Sequence, residues 1–356
     1  MTSPTARRRF MLASVAAAAG AGSARAVEPL RVGFVYVGPV GDFGWSYQHD
    51  QGRKAIEAAL GEAVKTSYVE KVPEGPDAER VLRQLASTGT NLIYATSFGF
   101  MNPAERVARQ FPKVRFEQAT GYKTLPNMAE YNARFYEGRA VCGTIAGHVS
   151  AAGVAGYVAS VPIPEVVMGI DAFTLAARKV NPNFQTKVIW VNSWFDPGKE
   201  SDAAKSLIDQ GADVLCQHTD SPAVMQTAEA RGVLAFGQAS DMREFGPKAQ
   251  LTSIVDNWSN YYVERSRAAL DGTWTTGSIW WGLQQGLVGI APYGPGVTAV
   301  AREAADTVKA GIIAGTQHPF AGPIRDQKGA LKVAADTTIA DEELLKLSWY
   351  VEGVQA

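Results

Sequence analysis

The chain is short of histidine, cysteine and net charge, and each shortage removes a class of function. Four histidines, His49, His148, His218 and His318, form neither H-E-x-x-H nor a zinc spacing with cysteine, so no metal site is expected. His148 falls in the last turn of a helical stretch and reads as a capping or packing residue. The two cysteines, Cys142 and Cys216, lie far apart in apolar contexts, either as a bridge or as two buried thiols. A Walker A run, G-x-S-x-G and a G-x-G-x-x-G after the first strand are all missing; Gly294-Pro295-Gly296 reads as a turn. No catalytic constellation identifies itself and no cofactor is implied. With 34 basic and 35 acidic residues the net charge is −1, which argues against nucleic acid or an anionic membrane as main partner. Low-complexity segments and solenoid repeats are absent too.

The N-terminus carries an address. Arg7-Arg8-Arg9-Phe10-Met11 fits a twin-arginine signal, with the general secretory route as its rival, and an Ala-rich stretch runs to Ala24-Arg25-Ala26, an A-x-A cleavage site. That stretch is too short for a permanent membrane helix, and no cysteine near the cleavage point offers a lipid anchor. Residues 1–26 are therefore expected to be removed after export to the periplasm. Loss of a leader with four arginines and no acid leaves 30 basic residues against 35 acidic, a balance of −5.

What remains, with 46% hydrophobic residues, can bury one large or two medium cores. Apolar runs alternate with helical stretches: strand candidates at 63–69, 91–95, 114–118, 154–160, 186–191, 212–216, 233–236 and 251–255, helices at 77–87, 103–111, 134–151, 164–179, 199–210 and 223–231. Repeated βα units predict parallel sheets covered on both faces. Ten or so strands exceed one comfortable sheet, so the reading is two lobes: 27–152 with 257–290 returning to it, and 153–256 with part of 291–356 added. Two lobes joined by several crossings give a hinge and a cleft, the architecture of a type I periplasmic binding protein.

The most informative stretch is 31–60, RVGFVYVGPVGDFGWSYQHDQGRKAIEAAL. A buried strand runs into a turn that still carries Phe43 and Trp45, beside Asp42 and Ser46, before a helix takes over. In open parallel sheets ligands sit beyond the carboxyl ends of strands, so these aromatics form either a flap over the sheet edge or a wall of a ligand slot. Other strand ends carry similar groups: Thr120-Gly121-Tyr122, Trp194-Phe195-Asp196, Gln217-His218-Thr219-Asp220 and Gln238-Ala239-Ser240-Asp241. Asp220 and Asp241 also suit helix or turn caps, and Trp194 a lid.

GDFGWSYQHDQGRKAIE resembles the opening signature of the basic membrane protein family, the substrate-binding components of ABC importers. Its aspartate, aromatic, small polar residue and helix glycine match Asp42, Trp45, Ser46 and Gly52 here. The similarity continues through 116–150 and 190–290, with WFDPGKESDAAKSLIDQGADV and GQASDM as its later landmarks. The resemblance implies a purine nucleoside or related ligand held between aromatic rings, with Trp45 as one ring and Asp241 in contact. The relatives' second aromatic falls on Cys216, so Trp194 takes that place. A ribose-binding lysine of relatives is replaced by Asp256, followed by Asn257, which sets a free base or a differently substituted purine beside the nucleoside as the expected ligand. Ser46, Thr120, Gln217 and Asp241 would supply donors and acceptors.

The expected protein is thus a monomeric periplasmic binding protein that delivers a purine-type ligand to an ABC permease without a membrane anchor. Its site would comprise Phe43, Trp45, Ser46, Thr120, Gly121, Trp194, Gln217, Asp220, Asp241, Asp256 and Asn257. A nucleoside hydrolase or phosphorylase using the same cleft, and a ligand sensor for a membrane receptor, are the alternatives.

Overall fold

The computed structural model describes residues 1–2 and 28–356; the expected leader and its cleavage point lie outside the described residues. Five strands open the chain: β1 (Leu30–Val35), β2 (Val64–Val69), β3 (Leu92–Ala95), β4 (Arg115–Ala119) and β5 (Met128–Ala133). Between them run α1 (Gly44–Leu60), α2 (Pro76–Ser87) and α3 (Met101–Gln110). The chain then forms α4 (Phe135–Val149), β6 (Val154–Ala159), α5 (Pro164–Val180), β7 (Gln185–Trp190), α6 (Pro197–Asp209), β8 (Val214–His218), α7 (Ala223–Arg231), β9 (Leu234–Gly237) and β10 (Gln250–Asp256). It closes with α8 (Ser259–Leu270), β11 (Ser278–Trp281), β12 (Val288–Ile290), α9 (Ala299–Ile313), a small hairpin of β13 (Ile324–Arg325) and β14 (Leu331–Val333), and β15 (Val354–Gln355).

Two sheets result. The first has the order β11-β5-β4-β3-β1-β2, and the second β12-β10-β9-β8-β6-β7-β15. Every pairing in them is parallel except that of β12 with β10. Alternation along the strands sorts side chains to the two faces. Val35, Ile93 and Phe116 pack under α2 and α3, while Val158, Leu215 and Ala235 pack under α6 and α7. The opposite faces share one continuous core that includes Phe34, Tyr94, Tyr157 and Phe236.

The chain crosses between lobes at residues 133–135, 256–259 and 281–288. The break anticipated at 151–153 lies earlier, because α4 packs on α5 of the second lobe and not on the first sheet. Two glycines explain this. A Cβ on Gly143 would stand 2.1 Å from the Phe173 carbonyl oxygen, and one on Gly147 2.7 Å from that of Ala177. The helices therefore approach backbone to backbone, and α4 is buried over most of its length, as a helix apolar on nearly all sides must be. Returning segments divide as well: α8 packs on α1 and β11 joins the first sheet, but β12 joins the second.

Strand β5 is an addition to the sequence reading. Its sequence, MAEYNA, lacks an apolar run, yet all six residues are buried between β4 and β11. Glu130 here bonds Ser278 of the neighbouring β11, so hydropathy is a poor guide to burial in this strand.

Candidate functional site

The carboxyl ends of β1, β3, β4, β6, β8 and β9 face one another across the crossings, where topology brings the loops of both lobes together. A cavity there is lined by Val37, Trp45, Ser97, Phe98 and Thr120 from the first lobe and Glu165, Trp194, His218, Asp220 and Gln238 from the second. It measures about 20 Å³, room for a single water, so the lobes are closed and must part before any larger molecule enters.

The lips of the cleft touch. Gly44 N donates to Ser240 Oγ at 2.8 Å, and the Phe43 ring meets Phe245 edge-on at 4.8 Å. Gly44 adopts φ +80°, and a Cβ there would come within 2.6 Å of the Asp220 carbonyl oxygen, so this approach requires glycine.

Trp45 is built into the first lobe. Its Nε1 donates to the Thr96 carbonyl at 2.7 Å, and its ring packs edge-on against His49 (4.3 Å) and Trp258 (5.5 Å), with Phe135 at 5.9 Å. These neighbours belong to an aromatic cluster in which His49 Nδ1 and Tyr131 Oη both bond the Tyr262 hydroxyl. Trp194 is held differently: its Nε1 donates to Glu74 Oε1 at 3.2 Å across the cleft, and its ring has His218 beside it at 6.4 Å.

At and around the cavity several buried polar atoms lack a partner. Asp256 is fully buried, with both carboxylate oxygens unbonded, as are Glu165 Oε2 and His218 Nδ1. His218 Nε2 stands 3.8 Å from Glu165 Oε1. Burial pushes Glu165 up to about 8 and Asp220 well above the carboxylate range. It does the same to Asp256, opposed by Arg139 and reinforced by Glu165 and Asp220. His218 is held well below its ordinary value by burial and by Arg139. Arg139 itself is fully buried on α4, bonded to Gln238 Oε1 and to Cys216 Sγ (3.1 Å), with its Nε unpaired and the Tyr157 ring 5.5 Å away. Buried groups left in this condition cost stability, so a ligand that pairs with them is favoured. Cys142 and Cys216 are both free and buried.

The residues expected from sequence separate clearly. Trp45, Thr120, Trp194 and Asp220 line the cavity, and Asp256 is buried within electrostatic reach of it. Phe43 and Ser46 belong to the lip, where Ser46 Oγ accepts from Gly38 N and Phe43 seals against Phe245. Gly121 sits behind Thr120, against the Gln118 side chain. Gln217 turns its Nε2 onto the Thr219 and Ser221 carbonyls and lies outside the cavity lining. Asp241 and Asn257 do not reach the site: both are exposed, and Asp241 accepts from Arg243 N and Gln250 Nε2. The carboxylate of the GQASDM landmark thus secures its own loop, while Gln238 in the same motif lines the cavity.

Sequence reasoning passed over Glu165, Ser97, Phe98, Gln238 and Arg139 as site residues. The rule that found Trp45 also covers Glu165, which follows β6 at the first turn of α5. Arg139 left no such signal, because its place depends on α4 crossing to the second lobe.

Residues 30–315 match a family model described as ABC transporter substrate-binding protein PnrA-like. Over 345 residues the chain is 54% identical to a purine-binding protein of Brucella abortus, covering 97% of this chain and 98% of the relative. It is 36% identical over 328 residues to a protein of Haloferax volcanii provisionally named an ABC transporter glucose-binding protein, covering 92% and 81%. A solved ABC transporter solute-binding protein of Aeropyrum pernix superposes with a TM-score of 0.71 at 19% identity, covering 88% of this chain and 95% of that one. A transcriptional activator of Bacillus halodurans superposes at 0.68 with 24% identity, covering 81% and 99%. At these identities the superpositions speak for the fold alone. ABC transporter substrate-binding proteins work outside the cytoplasm and present small molecules to a membrane permease. Among the described residues no helix is long and apolar enough to cross a membrane. The chain belongs to the PnrA-like family of ABC transporter substrate-binding proteins.

Proposed function

We propose that the ligand is an uncharged purine base, captured between Trp45 and Trp194 in the periplasm and delivered to an ABC permease without chemical change. The observation that carries this reading is a set of buried polar atoms without partners: Glu165 Oε2 and His218 Nδ1 in the lining of the cavity that also holds both indoles, and both oxygens of Asp256 within electrostatic reach of it. A planar base stacks on an indole for roughly 1–3 kcal/mol per ring. Its ring and exocyclic N–H groups then satisfy acceptors that no protein donor reaches. Adenine suits this environment because it offers both N–H donors for the free oxygens and ring nitrogens that accept from acids held protonated by burial. A phosphate would lose its hydration on entering this buried site and would oppose any ionisation of Glu165, Asp220 and Asp256, so nucleotides are expected not to bind. The purine-binding relative at 54% identity supports the same ligand class.

Calorimetry with adenine, hypoxanthine, adenosine, AMP and glucose tests the proposal. Adenine should bind most tightly and AMP not at all. Glucose binding more tightly than any purine would overturn the reading, and release of free base from adenosine would replace it with an enzymatic one.

A further inference from the structure

Glu74 lies in the loop between β2 and α2, outside the cavity and exposed to solvent. Its Oε1 nevertheless gathers both walls of the cleft. It accepts from Ser97 Oγ at 2.5 Å and from Gly99 N at 3.0 Å, both in the first lobe, and from Trp194 Nε1 at 3.2 Å in the second. A Cβ at Gly99 would stand 2.2 Å from Glu74 Cδ, so the turn leaves space for this carboxylate and no more. Ser97 and Trp194 both line the cavity, and Phe98 lies between Ser97 and Gly99.

We infer that Glu74 is a positioning residue: a latch that fixes the Trp194 indole against the ligand once the lobes close, and so sets how long the ligand stays. The bond to Trp194 crosses between lobes and exists only in the closed form, whereas the bonds to Ser97 and Gly99 persist when the lobes part. Loss of the crossing bond therefore speeds opening and leaves encounter unchanged. The latch rests on the cleft being the ligand site, as proposed above, and on no particular ligand.

The test is a double-mutant cycle on the full chain, read as adenine association and dissociation rates. Trp194→Phe keeps a ring and removes the donor; Glu74→Ala removes the acceptor. Each should raise the dissociation rate roughly three- to tenfold, the modest share expected of one solvent-exposed hydrogen bond to a carboxylate. Association should stay at the wild-type rate, and the double variant should dissociate no faster than the faster single variant. Additive effects, or a Trp194→Phe variant that dissociates like wild type, would overturn the latch and reduce Glu74 to a support for the turn at 97–99.

If wild type binds no purine, the ligand proposal fails, and the latch is still decided by a second measurement. Spin labels on Arg80→Cys and Asp202→Cys report the lobe separation of the free protein, since the native cysteines are buried. A closed-form distance that loses population in Glu74→Ala upholds the latch; unchanged distributions overturn it.

Discussion

The two tryptophans that line the cavity from opposite lobes are anchored in opposite ways. Trp45 bonds a carbonyl of its own lobe and leans on His49, Trp258 and Phe135, so its orientation is fixed whether the cleft is open or closed. Trp194 sits on a loop, half-buried, and finds its hydrogen-bond partner only in the other lobe. On the proposed function, one ring is a pre-built platform and the other arrives with closure.

Truncating the platform should do the most damage. Trp45→Ala removes a stacking surface and a member of the aromatic cluster, so adenine affinity should fall roughly ten- to a hundredfold. The free protein should also lose up to about 3 kcal/mol of stability, as truncation of a packed aromatic does. A wild-type melting temperature in this variant would show that the platform is not part of the core.

Trp194→Ala should fall next in size and differ in kind. Affinity should drop roughly five- to fiftyfold through the lost ring, while the melting temperature of the free protein stays close to wild type. A large loss of stability without ligand would erase the distinction between the two residues.

The smallest effect concerns the acids between the rings. Glu165 has its carboxyl raised from an ordinary 4.5 to about 8 by burial, so the folded protein holds this proton more tightly than the unfolded chain. Its contribution to stability is complete below pH 4.5 and is lost as the pH rises through 8. Glu130, between β5 and β11 and raised to about 7, adds a decline of its own from outside the cleft. Melting temperature of the free protein should therefore fall between pH 5 and 8. Glu165→Gln should match wild type at pH 5 and exceed it at pH 8. Parallel profiles would mean that Glu165 is solvated and ionised at neutral pH.

Much of this was legible from residues alone. The buried strand 31–37 followed by Phe43 and Trp45 announced both the sheet and its proposed ligand edge, and the alternation of apolar runs with helical stretches, too many for one sheet, announced the second lobe. Reading failed where position depends on distant packing. The allegiance of α4 is decided by Gly143 and Gly147 against α5, a contact invisible in a local pattern. Strand β5 is polar because its neighbours supply the burial. Asp241 and Asp220 follow similar strands and look interchangeable in sequence. One turns back to Gln250 and Arg243, and the other opens into the cavity. Strand-end rules locate the loop; the hydrogen bonds inside the loop decide which side chain is left over for a ligand.

The most direct test is a crystal structure of the full mature chain with adenine. The base should lie between the Trp45 and Trp194 rings, with its N–H groups on Asp256, Glu165 or Asp220 and the Trp194 indole still bonded to Glu74. Adenine bound elsewhere, for instance in the groove between α4, α5 and α9 lined by Ala176, Lys179 and Val308, with the interlobe cavity still closed, would contradict the assignment of the cleft.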